Sequence, residues 1–305
     1  MKNKGEKKKG ASVLLIIIIV LAAGIFCFAG YKLITIYLKY HAATVSYDNI
    51  KEVVHSGGEN SFADPDPDAA DYKSAKPDKF EYEDEYDEGM TYDYQALLAI
   101  NPDTIGYIKA RGDGMIVDYP VVQAADNDYY LTRMFDGTYN AAGSIFMDCD
   151  AVYRFNSPYC IIYGHNMASG SRMFGYLKQY EKEAYFNSHL EYDIYTPYEH
   201  YVYKVIAAYK TDTYSLTYEA PVLYNSVWMT TDEVKAALVE IAEHAISLSK
   251  YKTDFNTAEI KADSRLIALS TCYGDYSDPN RFIVLLIRDR IVIPRESGTS
   301  EIASE

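Results

Sequence analysis

The sequence predicts a mainly β domain with some helix, closed into a barrel and carried behind one N-terminal membrane-spanning helix. Three observations predict it. A charge-free run, Gly10–Tyr31, follows a lysine-rich start. Across residues 92–292, short apolar or alternating runs rich in Val, Ile and Tyr recur between Gly, Pro, Asp and Asn, the pattern of strands joined by turns. Helical periodicity is confined to a few pieces, there is no β–α–β alternation, and two apolar strands end the domain, all of which favours a closed barrel.

The start "MKNKGEKKKG" holds five lysines and one glutamate, and the 22 residues Gly10–Tyr31 carry no charge. At ~1.5 Å rise per residue they make ~33 Å of helix, enough to cross a bilayer core. Lysines favour the cytoplasmic side, so residues 1–10 read as a cytoplasmic basic tail and 11–31 as an uncleaved signal anchor, with the rest of the chain outside the cell. A cleaved signal peptide would show an A-x-A site, which is not evident. A lipoprotein signal would place a small residue before Cys27, where Phe26 stands.

Residues 32–91 read as an acidic stalk. From Glu59 to Glu88 there are twelve acids and three lysines, and such a block of like charge with little apolar content solvates instead of packing. The acids lack EF-hand spacing, which argues against calcium there. A net charge of −15 over 305 residues speaks against non-specific nucleic-acid binding, which needs a basic footprint. The 32 tyrosines, against 11 phenylalanines and one tryptophan, suit surfaces that pack and still face water.

Within 92–292, "YDYQALLAINPDTIG" begins as a short helix and stops before Pro102, which cannot continue it. "TIGYIKA", "MIVDYPVVQ", "AGSIFMD", "SPYCIIYGH", "YDIYTP" and "HYVYKVIAAYKT" then read as strands, with "DNDYYLTRMF" and "SRMFGYLKQY" as short helical pieces. From Thr230 to Lys250, Val234, Leu238, Ile241, Ala245 and Leu248 recur at the helix period, Thr230 and Glu233 can form a capping box, and Glu240, Glu243 and His244 face water. "SRLIALSTC" and "RFIVLLIRD" return to strand. Residues 293–305 read as a disordered tail.

Cys272 falls where the apolar pattern of "SRLIALSTC" gives way to the polar loop "YGDYSDPN", and Arg281 follows nine residues later. Taken alone, the cysteine could be buried filler, half of a disulfide, a metal ligand or a nucleophile. Cys27 lies in the membrane span, which leaves Cys149, Cys160 and Cys272; a Cys149–Cys160 bridge is one pairing, and it leaves Cys272 alone. No C-x-x-C or His/Cys ligand spacing points to zinc. A thiol is activated by a base or a cation. Of the six histidines, His41 and His55 lie in the stalk and His189, His200 and His244 in polar or helix-surface settings, whereas His165 ends an apolar strand after a glycine, as Cys272 ends another. By itself His165 reads as a loop residue and Arg281 as a solvated strand-end charge; the three together are harder to dismiss.

"LSTC" ending a strand, an arginine nine residues on, and "YGHN" upstream resemble the sortase signature, in the order His, Cys, Arg. "INPDTIGYIKARGDGMIVDYPVVQAADNDYYLTRMFDGTYNAAGSIFMD", followed by "YGHNMASGSRMFGYLKQY", is similar to class B sortases, and the helix before the penultimate strand sits where that class carries an insertion. The resemblance covers residues 92–292. It implies a membrane-anchored cysteine transpeptidase of Gram-positive bacteria on an eight-stranded β-barrel with an N-terminal helix, needing no cofactor or metal. It also implies roles: Cys272 as nucleophile, His165 as acid and base, Arg281 at the oxyanion. The Tyr273 amide, Ser270, Thr271 and Asn166 follow as oxyanion- or substrate-binding candidates. Its partners would be the sorting signal of an exported protein, cut after Thr, and an amine of a peptidoglycan cross-bridge or lipid-linked precursor. An ordinary thiol near pKa ~8.5 and imidazole near ~6.5 are both neutral at pH 7, so the reactive ion pair needs help from its site.

No Asp-Pro-aromatic lid of the pilus-building class C type is evident, although some class B members build pili. Two other readings compete. A papain-like wall peptidase places Cys ahead of His and at a helix start, the reverse of this order. A non-enzymatic wall-binding surface module accounts for the tyrosines and the anchor, but not for His, Cys and Arg at strand edges.

Overall fold

Lys4–His55 form one long helix, α1. Its stretch from Leu15 has a mean hydropathy of 2.3 and is long and apolar enough to span a membrane. Leu15–Leu21, Ile25, Phe26 and Phe28 turn their side chains outward, as a helix facing lipid would. The computed structural model describes residues 4–55, 81–82, 92–114, 116–167, 173–219, 229–274 and 279–292, with the side chains of α1 described over 15–54. The chain divides into two units, Met1–Ser46 and Tyr47–Glu305. Helix α1 occupies 32–55 of the segment read as a stalk; residues 56–80 and 83–91, and the tail 293–305, lie outside the described residues.

In the second unit the strands match the alternating runs closely. After β1 (Glu81–Tyr82) and the short helix α2 (Tyr94–Ile100) come β2 (Thr104–Ala110), β3 (Asp118–Val122), β4 (Ile145–Met147) and β5 (Tyr159–Tyr163). Helix α3 (Glu183–Ser188), β6 (Glu191–Tyr195), β7 (His200–Asp212), α4 (Leu216–Glu219), α5 (Thr231–Leu248), β8 (Leu266–Cys272) and β9 (Asn280–Val292) follow. The sheet runs β1-β9-β7-β6-β2-β3-β4-β5-β8, and β8 pairs again with β9. Eight strands, β2 to β9, therefore close on themselves, and β1 lies outside along β9. Closure leaves those strands no open edge.

Local chemistry explains the helices. Asp93 accepts from the Ala96 amide and starts α2, which ends at Ile100 before Pro102. Thr230 and Glu233 make the full capping box of α5, and Val234, Leu238, Ile241, Ala242 and Ala245 are buried. Leu248, expected on that buried stripe, is exposed instead. The helix ends there, and Ser249 turns in to bond Ala208 on β7. "DNDYYLTRMF" supplies only a single 3-10 turn, Tyr129–Leu131, because Asp126 draws the Asp128 and Tyr129 amides into a side-chain turn.

Many tyrosines belong to the core, not to the water-facing surface their chemistry suggested. Tyr107, Tyr159, Tyr180, Tyr192 and Tyr203 are essentially inaccessible. Each keeps a hydroxyl partner: Tyr107 donates to Asp118, Tyr159 to the Thr217 carbonyl and Tyr180 to the His189 carbonyl. Only glycine fits at Gly106, since a Cβ would run into the Tyr195 carbonyl oxygen and come 2.8 Å from the Phe155 ring. His189 and His200 are also buried, not surface residues, and the Nε2 of His244 is enclosed although its helix face was expected in water. Loop and strand contacts that no sequence period records cover all three.

Asp193 is the most enclosed ion-pair centre outside the site described below. Arg111 donates to it at 2.6 and 3.0 Å, and His200 Nε2 lies 2.8 Å from Oδ1. Burial alone would raise its carboxyl, but the hydrogen bonds from His200 and Arg111 outweigh burial and hold it below the usual range. A carboxyl depressed in the folded state stabilises above its unfolded pKa of ~3.9, and that contribution is lost as pH falls through the folded value. Asp193→Asn should destabilise the protein by about 3 kcal/mol at pH 7, by leaving Arg111 poorly paired. In denaturant melts the gap to wild type should narrow as the pH is lowered below about 4.

Candidate active site

The end of β8 collects the side chains singled out in the sequence. Cys272 is the last residue of that strand and Arg281 stands directly opposite it on β9. Residues facing each other across an antiparallel pair have Cβ atoms ~5 Å apart, so the nine-residue step is a hairpin that returns the arginine beside the thiol. Both residues are partly exposed. Arg281 also pairs with Thr211 on β7 and donates to the Asn280 carbonyl at 3.1 Å.

His165 reaches the same end through β5, which runs parallel to β8. Tyr163 pairs with Ser270, the Gly164 amide donates to the Ser270 carbonyl at 3.1 Å, and Thr271 Oγ1 donates to the Gly164 carbonyl at 2.7 Å. One residue further, the Asn166 side-chain amide donates to the Tyr273 carbonyl at 3.4 Å. The neighbours of His165, Gly164 and Asn166, are thus bonded to the residues that flank Cys272. The His165 ring is set from the opposite direction: its Nε2 lies 2.7 Å from the Leu131 carbonyl. That contact makes Nε2 the protonated nitrogen and leaves Nδ1 for proton exchange, because a carbonyl can only accept.

The other candidates occupy different positions from those expected of substrate contacts. Ser270 and Thr271 are buried, and their hydroxyls are engaged inward with Tyr218 and Gly164, so their side chains brace the site. The Tyr273 amide donates to the Asn280 carbonyl at 3.0 Å, extending the β8–β9 ladder. It could serve an oxyanion only after that bond opens. The Tyr273 ring stacks on Phe282, takes Lys210 over its face at 4.1 Å, and its hydroxyl donates to Glu181.

Three features of the site left no motif in the sequence. Tyr218, on α4, bonds Ser270 at 2.6 Å. Burial chiefly pushes its hydroxyl up to about 12, with Ser270 and Arg281 opposing and Cys272 adding, which locates it among the three. Leu131 contributes a carbonyl, which no side-chain pattern reveals. Gly143, with φ of +59°, lets the turn approach Tyr130, Leu131 and His165; a Cβ there would come 2.9 Å from His165 Cδ2. Its carbonyl accepts from Tyr47 at the end of α1.

All four cysteines are free, so the Cys149–Cys160 pairing considered from sequence does not form. Cys160 is buried inside β5, and burial drives its thiol well above the ordinary range. Cys149 is raised by partial burial and by flanking Asp150 and Asp148. Among the described residues Asp148, Cys149 and Asp150 are close enough to share a metal ion, but Asp148 already accepts from Tyr163 at 2.7 Å and Asn127 at 3.2 Å.

No family model matches the chain. It is 28% identical over 196 residues to sortase B of Staphylococcus aureus, covering 64% of this chain and 73% of that protein. It is 30% identical over 178 residues to sortase B of Listeria monocytogenes, covering 58% and 65%. A crystal structure of sortase B from B. anthracis in complex with AAEK1 superposes at a TM-score of 0.61 with 26% identity, over 84% of this chain and all of that one. A Staphylococcus aureus sortase B–substrate complex gives 0.53 and 26% over 65% and 84%. A Streptococcus pyogenes class B sortase involved in pilus biogenesis gives 0.53 and 29% over 65% and 98%.

Thr271→Val keeps the shape of the side chain and removes its bond to Gly164. We expect a loss of about 1–2 kcal/mol, with faster amide exchange concentrated at residues 164–166, as read by hydrogen-exchange mass spectrometry. Gly143→Ala should be the more damaging change, by about 2–3 kcal/mol, through strain at positive φ and crowding.

Proposed function

We propose that this chain, similar to class B sortases in sequence and in fold, works as a Cys272-dependent transpeptidase on the sorting signals of exported proteins. The observation that carries the reading is the pairing of Cys272 with Arg281 across β8 and β9, with the backbone of His165 tied alongside through Thr271. Arg281 stands beside the thiol and stays there to receive charge as it moves to the substrate.

The thiolate of Cys272 attacks the carbonyl carbon of Thr in the signal peptide, at its bond to the next residue. As the tetrahedral intermediate collapses the C–N bond breaks, and His165 delivers a proton from Nδ1 to the departing amine. A thioacyl bond to Cys272 remains. His165, now able to accept a proton, takes one from an incoming amine, which attacks the thioester; the C–S bond breaks, the new amide forms and the thiolate returns. Arg281 stabilises the oxyanion in both halves, and Tyr218 holds Ser270 and its strand in place beneath. Asn166 braces the loop that carries Tyr273.

The substrate complex of the Staphylococcus aureus relative supports a peptide partner. The acceptor we infer is an amine of the peptidoglycan cross-bridge or of its lipid-linked precursor. The helix from Leu15 fits a membrane anchor; with the N-terminal lysines on the cytoplasmic side, the catalytic unit would work at the outer face. A second reading, polymerisation of pilin subunits, is favoured by the likeness to the Streptococcus pyogenes enzyme of pilus biogenesis. It differs only in the acceptor, a lysine of another subunit.

The test incubates the full chain in detergent micelles with a panel of sorting-signal peptides and, separately, a wall-peptide amine or a pilin lysine. Mass spectrometry should find the acyl fragment on Cys272, and none on Cys272→Ala. His165→Ala and Arg281→Ala should fold yet lose turnover about 100-fold or more. Full activity in Cys272→Ala would sink the mechanism, and silence across the whole panel would favour a wall-binding module. Whichever acceptor is joined decides between anchoring and polymerisation.

A further inference from the structure

The strand pair that brings Cys272 to Arg281 carries two more arginines at its other end. Arg265 immediately precedes β8 and accepts from the Arg288 amide at 2.9 Å, so the two residues are the next cross-strand neighbours after Leu266 and Ile287. Like charges directly opposite each other on adjacent strands oppose folding. Neither guanidinium has a carboxylate within ion-pair distance among the described residues. Arg288 is held by neutral acceptors, the Tyr203 hydroxyl at 3.1 Å, the Phe155 carbonyl at 2.8 Å and Asn156 Oδ1 at 2.9 Å, and lies 4.0 Å over the Tyr201 ring. Among the described residues the Arg265 guanidinium bonds only the Ser264 carbonyl, and its Nε is enclosed without a partner there. Burial first, and then Arg288, brings Arg265 down to about 10, whereas burial of Arg288 is outweighed by Tyr203, Tyr201 and Glu199, which hold it up; the cost of the pair falls on Arg265.

Both arginines line a cleft of about 760 Å³ formed by β6, β7, β9 and residues 253–265. Its acids divide into two groups. Glu191 and Asp289 are already paired with Arg111, Arg290 and Lys204. Asp254, Glu259 and Asp263 are exposed and line the outer part. The cleft is therefore positive at its floor, while its outer part sets three acids against one exposed cation, Lys261; Phe255 and Ile287 also line it. A dianion such as phosphate would suit the floor but meet the outer acids unfavourably. A ligand with one carboxylate and a nearby cation meets both.

We propose that Arg265 and Arg288 form the floor of a second binding site, which takes the free carboxylate of a peptide whose neighbouring ammonium or guanidinium meets Asp254, Glu259 and Asp263. Cys272 lies seven residues along β8, about 23 Å away at strand rise. The site is thus separate from the thiol chemistry, and its occupant does not depend on that chemistry.

Calorimetric titration of the full chain in detergent micelles with Ala-Ala-Lys as free acid, and with the same tripeptide as C-terminal amide, tests this. The acid should bind about tenfold tighter or more, and Arg265→Gln should remove that preference. Arg265→Gln should melt no lower than wild type, because it relieves an opposed pair of like charges; Arg265→Lys should keep part of the preference. Cys272→Ala should bind as wild type does, so a failed transpeptidase assay leaves this result intact. Equal binding of acid and amide, no binding of either at millimolar concentration, or an unchanged preference in Arg265→Gln would overturn the proposal. So would displacement of the acid by inorganic phosphate at a lower concentration than that of the tripeptide.

Discussion

The antiparallel ladder between β8 and β9 runs from Leu266 opposite Ile287 to Cys272 opposite Arg281. It joins the two ends of a sheet that would otherwise be open, because β8 is also bonded to β5 and β9 to β7. Both strands are buried through their middle, so their apolar side chains fill the core from either face. A slip of one residue would turn every side chain to the opposite face. It would also separate the thiol from its arginine. Closure, core packing and the geometry of the reactive end are therefore one constraint.

The histidine is held differently. β5 supplies its backbone through the parallel pairing with β8, but its ring is set by the carbonyl of Leu131, the last residue of the 3-10 segment Tyr129–Leu131. The turn at Gly143 packs against Leu131 and His165 only because Gly143 lacks a Cβ, and its carbonyl is tied to Tyr47. The thiol and arginine sit on a rigid ladder, while the ring depends on packed turns. Substitutions remote from Cys272 can consequently shift the proton-transferring group and leave the nucleophile where it is.

Charge is arranged along the same ladder. At one end Arg281 stands beside a thiol, where a cation lowers the cost of the anion. At the other Arg265 and Arg288 face each other, and among the described residues their hydrogen-bond acceptors are neutral oxygens. At Asp193, by contrast, a buried carboxylate is paired with Arg111 and His200. The contrast is what distinguishes the arginine pair from an ordinary structural ion pair.

Every strand from β2 to β9 was legible as a short apolar or alternating run, because strand formation and half-burial leave a period in the chain. The capping box of α5 and the stop of α2 before Pro102 were legible for the same local reason. Cys272, His165 and Arg281 could be picked out since each ends or begins such a run and each side chain is chemically distinctive. By itself the sequence thus determined the apolar N-terminal helix, the mainly β class and the residue types of the reactive trio. Burial of the tyrosines and of His189 and His200, the exposure of Leu248, the inward bonds of Ser270 and Thr271, and the Leu131 carbonyl against His165 were decided by the tertiary structure alone. So was the facing of Arg265 and Arg288. These depend on which strand lies beside which and on backbone groups that every residue carries, and neither leaves a mark in side-chain order.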